Sequence, residues 1–101
     1  MALKQDPDSR EWNYSLGQLL AVRGRTAEAI PYFEKAATRT DEPVVLGALA
    51  ELYAREGRFD DALKCARRGL QSAQSRNAGD LVRVFETNIR SYEAAEKTPA
   101  K

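Results

Sequence analysis

A chain that repeats itself at a fixed offset of a few tens of residues can only stack one small unit on the next. This chain does so. Leu16 and Leu49, Leu19 and Leu52, Gly24 and Gly57, Arg25 and Arg58, and Ala29 and Ala62 are all 33 residues apart. The same offset carries Ile30 onto Leu63, Lys35 onto Arg68 and Ala36 onto Gly69. The repeated positions are leucines and small residues, with one glycine in the middle of each copy. That pattern suits two helices meeting at a tight turn.

The remaining local signals agree. Alanine and leucine are plentiful, β-branched residues are few, and no stretch alternates with period two, so the expected class is all-α. Ser9 is placed to cap a first helix reaching to about Arg23, where Gly24 supplies the left-handed residue that ends it. A second helix starts near Thr26 and carries Ala29, Ile30, Phe33, Ala36 and Ala37 at helical spacing, with Pro31 in its second turn. Thr40 to Pro43 is the turn between units. The third helix runs from Val44 to about Glu56, with Leu46, Leu49, Leu52 and Tyr53 inside. A fourth runs from Asp60 to about Arg76, with Ala62, Leu63, Ala66, Leu70 and Ala73 as its stripe. Asn77-Ala78-Gly79-Asp80 is a break with Asp80 as expected N-cap, followed by a fifth helix from Leu81 to about Lys97. Leu81, Phe85, Ile89 and Tyr92 form its apolar face, and Arg83, Glu86, Thr87, Arg90, Glu93 and Glu96 its polar one. A polar-faced last helix is what the open edge of a stack requires.

The spacing Leu16-Gly17, Leu20, Gly24, Ala29, Phe33, Ala36, with its second copy Leu49-Ala50, Tyr53, Gly57, Ala62, Gly69, resembles the tetratricopeptide repeat, a helix-turn-helix of about 34 residues. Three positions depart from the family pattern. Trp12 comes one residue early, Ala50 stands at a preferred glycine, and Cys65-Ala66 replaces the aromatic pair Tyr32-Phe33. The resemblance implies five helices in a right-handed α-solenoid fragment: two helix-turn-helix hairpins and a C-terminal capping helix. The expected boundaries are residues 10–43 and 44–76 for the two repeats, 77–97 for the cap and 98–101 for a disordered tail. Residues 1–9 read as the tail of a preceding repeat, with Pro7 at the family's terminating proline, or as a flexible leader.

Composition narrows the function classes. Sixteen basic and fifteen acidic residues give a net charge of +1, so no global field draws the chain to nucleic acid or to a membrane surface. No segment has the length and apolarity of a bilayer span. The default compartment is the cytoplasm, unless a parent polypeptide contributes a leader or an anchor. With no histidine and a single cysteine, Cys65, the chain lacks the usual metal ligand set and the usual general base. No nucleophile elbow, phosphate loop or metalloprotease motif is present, so neither an enzymatic role nor a cofactor or metal is expected. Asp60-Asp61 reads as a favourable charge at a helix start, and Cys65 as a small packing residue.

The resemblance implies instead a protein or peptide partner, held in the concave groove lined by the first helix of each repeat. The residues expected there are Glu11, Tyr14, Gln18, Ala21 and Val22 in the first copy and Gly47, Glu51, Ala54 and Arg55 in the second. Ala21, Gly47 and Ala54 would leave room for a ligand backbone, and Glu51 opposes a terminal carboxylate. Glu51 and Arg55, four residues apart, also make an ordinary helical ion pair. The alternative is an assembly unit, a homo-oligomer or part of a longer solenoid, joined through an apolar face of Trp12, Leu16 and Leu19.

Overall fold

The computed structural model describes residues 9–38 and 40–97, and these form five helices and no strand. The order is α1 Arg10–Val22, α2 Thr26–Thr38, α3 Pro43–Arg55, α4 Phe59–Ser75 and α5 Gly79–Lys97. The two hairpins pair α1 with α2 and α3 with α4. α3 also packs on α2, and α5 packs on α4. The expected five-helix stack is therefore the fold, an all-α solenoid fragment. The sequence readings of residues 1–8 and 98–101 lie outside the described residues.

Ser9 begins α1 as expected: its hydroxyl accepts from the Trp12 amide at 3.2 Å. α1 and α3 end alike. Gly24 and Gly57 both have φ +78°, a conformation that costs a residue with a Cβ roughly 1–2 kcal/mol. In each turn the residue after the glycine bonds back across the helix end, Arg25 N–H to Leu20 C=O at 2.9 Å and Arg58 N–H to Tyr53 C=O at 2.8 Å. The connection from α4 to α5 repeats this geometry with Asn77 at φ 56° and Ala78 N–H bonded to Ala73 C=O at 2.9 Å. Asn is the non-glycine residue best suited to that region. The consequence corrects one expectation: α5 starts at Gly79, and Asp80 lies inside its first turn instead of capping it. Pro31 leaves α2 unbroken.

The core is continuous across both hairpins and onto α5. Ala29, Ala36, Ala62, Ala66 and Ala73 are fully enclosed, and Phe33, Leu46, Leu49, Leu52 and Phe85 fill the space between them. Small residues let the helix backbones approach, and the large ones occupy what remains. Gly17 lies directly against Phe33, so that a Cβ at that position would stand 2.7 Å from the ring. Gly69 receives Phe85 in the same manner, and Gly47 faces the same ring at about ordinary contact distance.

The connection from α2 to α3 is held from α4, which is a turn longer than α2. Arg68 pairs with Asp41 at 3.0 Å, the Ser72 hydroxyl donates to the Asp41 carbonyl at 2.6 Å, and Arg76 lies 3.7 Å from Glu42. A second tie joins the hairpins: the Tyr53 hydroxyl donates to the Glu34 carboxylate, and Arg58 sits 4.6 Å above the Tyr53 ring.

Candidate functional site

Several concave regions are formed by the described residues. One of about 680 Å³ is lined by Asp41, Arg68, Gln71, Ser72, Ser75 and Arg76. Its arginines and one serine are the residues that clasp the α2–α3 connection, so its charge is already paired within the chain. A second, of about 430 Å³, lies between the start of α4 and the end of α5. There Arg67 pairs with Glu93 at 3.0 Å, and a hydrogen bond with Asp60 raises the Glu96 carboxyl above its usual range. Both regions are polar clasps between helices.

A smaller hollow differs in kind from these two. A hollow of about 220 Å³ opens between α1 and α3, lined by Gln18, Ala21, Val22, Phe33, Ala48, Glu51, Leu52 and Arg55. Its floor is the buried pair Phe33 and Leu52, and its walls are short side chains. One lip carries Val22, which is 84% exposed and the most exposed large apolar residue described. The opposite lip carries Glu51 and Arg55, 2.9 Å apart and both well exposed. An exposed pair of that kind adds little to stability and leaves both groups accessible. At this volume the hollow is smaller than typical small-molecule pockets, and it suits one inserted side chain.

Five of the nine residues expected in the groove therefore line one hollow: Gln18, Ala21, Val22, Glu51 and Arg55. The other four stand elsewhere. Glu11 is exposed near the start of α1, where a backbone hydrogen bond and then Arg10 hold its carboxyl below the usual range. Tyr14 is half-buried, its ring edge-on to Phe33 with centroids 5.3 Å apart and planes at 88°. It braces the floor of the hollow from within. Gly47 turns toward Phe85 of α5, 3.4 Å from where its Cβ would be, so it faces α5 at about ordinary contact distance and does not line the hollow. Ala54 packs partly buried against the core. Sequence reading missed Phe33, Ala48 and Leu52 as lining residues. Phe33 and Leu52 read as core, and they are; the signal that they also floor a hollow is the short Ala21 and Ala48 above them.

The face expected to serve assembly is only partly exposed. Trp12 and Leu16 are half-buried and Leu19 is 49% exposed. Cys65 is buried on α4, and its enclosure pushes the thiol up to about 11 despite the nearby Arg68. A thiol so held is a packing group, not a nucleophile. Among the described residues no group of three or more histidine, cysteine or acidic side chains is arranged to hold a metal ion. None of the described helices is long and apolar enough to cross a membrane.

Comparison with known proteins follows the geometry. No curated protein matches the chain. Among solved structures, a tetratricopeptide repeat domain protein from Salinibacter ruber superposes with a TM-score of 0.80 at 21% identity, over 96% of this chain and 99% of that one. At that identity the likeness speaks for the fold. The profile of the tetratricopeptide repeat matches residues 20–83. Repeats of this kind are protein–protein interaction scaffolds that generally have no enzymatic activity of their own. With more than half of its length matched by that profile, the chain belongs to the tetratricopeptide repeat family.

Proposed function

We propose that this chain is a non-catalytic interaction module that holds a short peptide or a partner helix in the groove between α1 and α3. The observation that carries the reading is the hollow at Val22. An apolar floor of Phe33 and Leu52 lies beside an almost fully exposed valine, and charged side chains stand across from it. An isolated surface valine needs no explanation, but one on the lip of an apolar hollow offers a partner an anchoring point. The ligand that fits inserts one apolar side chain and meets Gln18, Glu51 and Arg55 with polar groups around it.

A peptide-display selection on the purified chain tests this, with Val22→Glu and Arg55→Glu as counter-screens. Both substitutions are on exposed side chains and leave the core intact, which Tyr14→Ala would not. Enriched peptides should share one apolar anchor. Losing a hot-spot contact of this kind should weaken their binding by about 2 kcal/mol, roughly 30-fold, in the Val22→Glu chain. Peptides that bind both variants as well as they bind the parent would refute the groove reading.

A further inference from the structure

The second helices of the two hairpins, α2 and α4, turn equivalent positions outward and fill them differently. The sixth, ninth, tenth and thirteenth helical residues are Pro31, Glu34, Lys35 and Thr38 in α2, and Lys64, Arg67, Arg68 and Gln71 in α4. One set has no net charge, and the other carries three cations. All four on α4 are exposed, as are Pro31, Lys35 and Thr38 on α2, which has a further hairpin packed after it. Exposure of this face therefore belongs to the outer side of the stack and not to its ends. α2 also shows that the fold does not require basic residues here.

Arg76, just past the end of α4, extends the row, and no carboxylate follows Asp61 on this helix. Lys64 to Arg76 spans about 18 Å along the axis. The helix dipole favours cations only in the last turn, which accounts for Arg76 but not for Lys64, Arg67 and Arg68. Ion pairing inside the chain uses little of this charge. Arg67 gives one bond to Glu93 and Arg68 one to Asp41, both at 3.0 Å. Arg76 donates to the Ser72 hydroxyl and stands 3.7 Å from Glu42. Lys64 has no ion pair among the described residues. A guanidinium has five N–H donors, and each of the three arginines is about half exposed. Donors thus remain for a further acceptor. Two concavities, of about 590 and 680 Å³, share Arg68 and Gln71 in their linings, so the basic row runs through both.

From this we infer that the outer face of α4 is a second interaction surface, independent of the groove, and that its partner is an acidic segment of another protein. The sign of the charge asks for an anion, and the planar fork of arginine suits a carboxylate or a phosphate. Width decides between them. Carboxylates border the row, Asp41 and Glu42 from the α2–α3 connection and Glu93 from α5. A nucleic-acid duplex or a flat anionic bilayer is broader than one helix and would bring its phosphates onto those carboxylates. No aromatic or large apolar side chain on α4 is exposed, so the face offers unpaired bases nothing to stack on and an acyl layer nothing to receive. A single acidic strand is narrow enough to lie along the row. Alternate residues of an extended segment point the same way about 6.6 Å apart, close to the roughly 6 Å between residues four apart on a helix. A carboxylate at every second position therefore meets Lys64, then Arg68 and, two steps on, Arg76.

A fluorescent peptide of alternating glutamate and alanine is titrated with the full chain at low salt, beside the same peptide with glutamine for glutamate. Saturable binding of the glutamate peptide that weakens as salt rises is expected, with none of the glutamine peptide. Lys64→Glu combined with Gln71→Glu breaks none of the chain's ion pairs and should weaken binding at least tenfold, with the thermal midpoint showing that the fold is kept. Lys64→Arg should retain binding, and so should Val22→Glu, whose side chain lies in the groove. No binding by the parent would overturn the inference, as would equal binding by the Lys64→Glu, Gln71→Glu chain. Loss of binding in Val22→Glu would overturn it by assigning the peptide to the groove. Tighter binding of a DNA duplex or of phosphatidylserine vesicles at matched charge would overturn it by assigning the face to phosphate.

Discussion

The two hairpins have the same backbone and fill it in opposite ways. Hairpin one supplies its own aromatic: Phe33 of α2 lies across Gly17 of α1, with Tyr14 edge-on beside it. Hairpin two has Ala66 and Ala50 at those positions, and its aromatic comes from outside, Phe85 of α5 resting on Gly47 and Gly69. A packed interior needs the volume, but it does not dictate which helix delivers it. The first hairpin is therefore self-sufficient in its core, whereas the second depends on the cap. This makes α5 part of the second hairpin's interior as well as its cover.

The largest effect expected from that difference is at Phe85. It is 3% exposed and fits against two glycines, so Phe85→Ala opens a cavity that backbone cannot close. Thermal or denaturant unfolding should show a loss of about 3–5 kcal/mol. Hydrogen exchange should rise in α4 and α5 first, with α1 and α2 the last to lose protection. Uniform loss of protection in all five helices would break the comparison, because it would make the core one unit.

Next in size are the glycines that accept the rings. Gly17→Ala places a Cβ 2.7 Å from Phe33, and Gly69→Ala places one in closer conflict with Phe85. Overpacking of this kind costs typically 1–3 kcal/mol, against roughly 1 kcal/mol of improved helix propensity. Net destabilisation is expected at both positions, larger at Gly69. If a smaller residue is put in place of the ring, the conflict vanishes, so Phe33→Leu should partly rescue Gly17→Ala but not Gly69→Ala. A double-mutant cycle measures that selectivity. Equal rescue of both would show that the two fillings are not separate.

These same residues mark the limit of what the sequence discloses. The helices and the glycine turns were legible because their signals are local: periodicity within one helix, and Gly24 and Gly57 at equivalent points. The buried glycines were not. A glycine inside a helix reads locally only as a poor helix former, and what gives Gly69 its purpose is an aromatic sixteen residues away in another helix. Asn13 is 1% exposed and was not suspected either; its side chain donates to the Ser9 carbonyl at 2.9 Å, a polar solution where α3 has Leu46. The equivalence of α5 to α1 and α3 is hidden because the longer α4 moves the offset from 33 to 36, so a scan at one period passes over α5. At the groove, Gln18, Glu51 and Arg55 follow from helical phase once the family resemblance says which helices line it. Gly47 was misplaced because phase does not reveal that α5 lies on that side.

Smaller again is the tie between the hairpins. Tyr53→Phe removes the hydroxyl that donates to Glu34 and leaves that carboxylate half-buried without it. The expected cost is about 1–2 kcal/mol. Glu34→Gln, which keeps an acceptor, should cost less. The tie joins two units that differ in self-sufficiency, so its loss should separate their unfolding transitions more than it lowers the first. Coincident transitions in Tyr53→Phe, followed by Trp12 emission for hairpin one and by circular dichroism for the whole, would argue against that.

The smallest effect concerns Cys65, which stands where hairpin one has Tyr32. Enclosure raises its thiol from 9.0 to about 11, with Asp61 and Glu34 adding to the rise and Arg68 opposing it. A group whose folded pKa is raised favours the folded state fully below its unfolded value. That contribution is lost as pH climbs through the folded value. Stability should thus be insensitive to this thiol up to about pH 9 and decline between there and about pH 11. A Cys65→Ala chain should show a shallower decline, most clearly between about pH 9 and 10, because Tyr53, whose phenol is also raised chiefly by burial, begins to contribute only once its unfolded form ionises near 10.0. Alkylation gives the sharper reading. Less of the thiol is ionised at neutral pH than in the unfolded chain and its access is restricted, so labelling should be slower in the folded chain by roughly tenfold or more. If hairpin two depends on α5 for its core, Phe85→Ala should speed Cys65 labelling far more than Gly17→Ala does at matched stability. Equal acceleration by the two would mean that Cys65 becomes reactive only through global unfolding, and that the second hairpin does not open on its own.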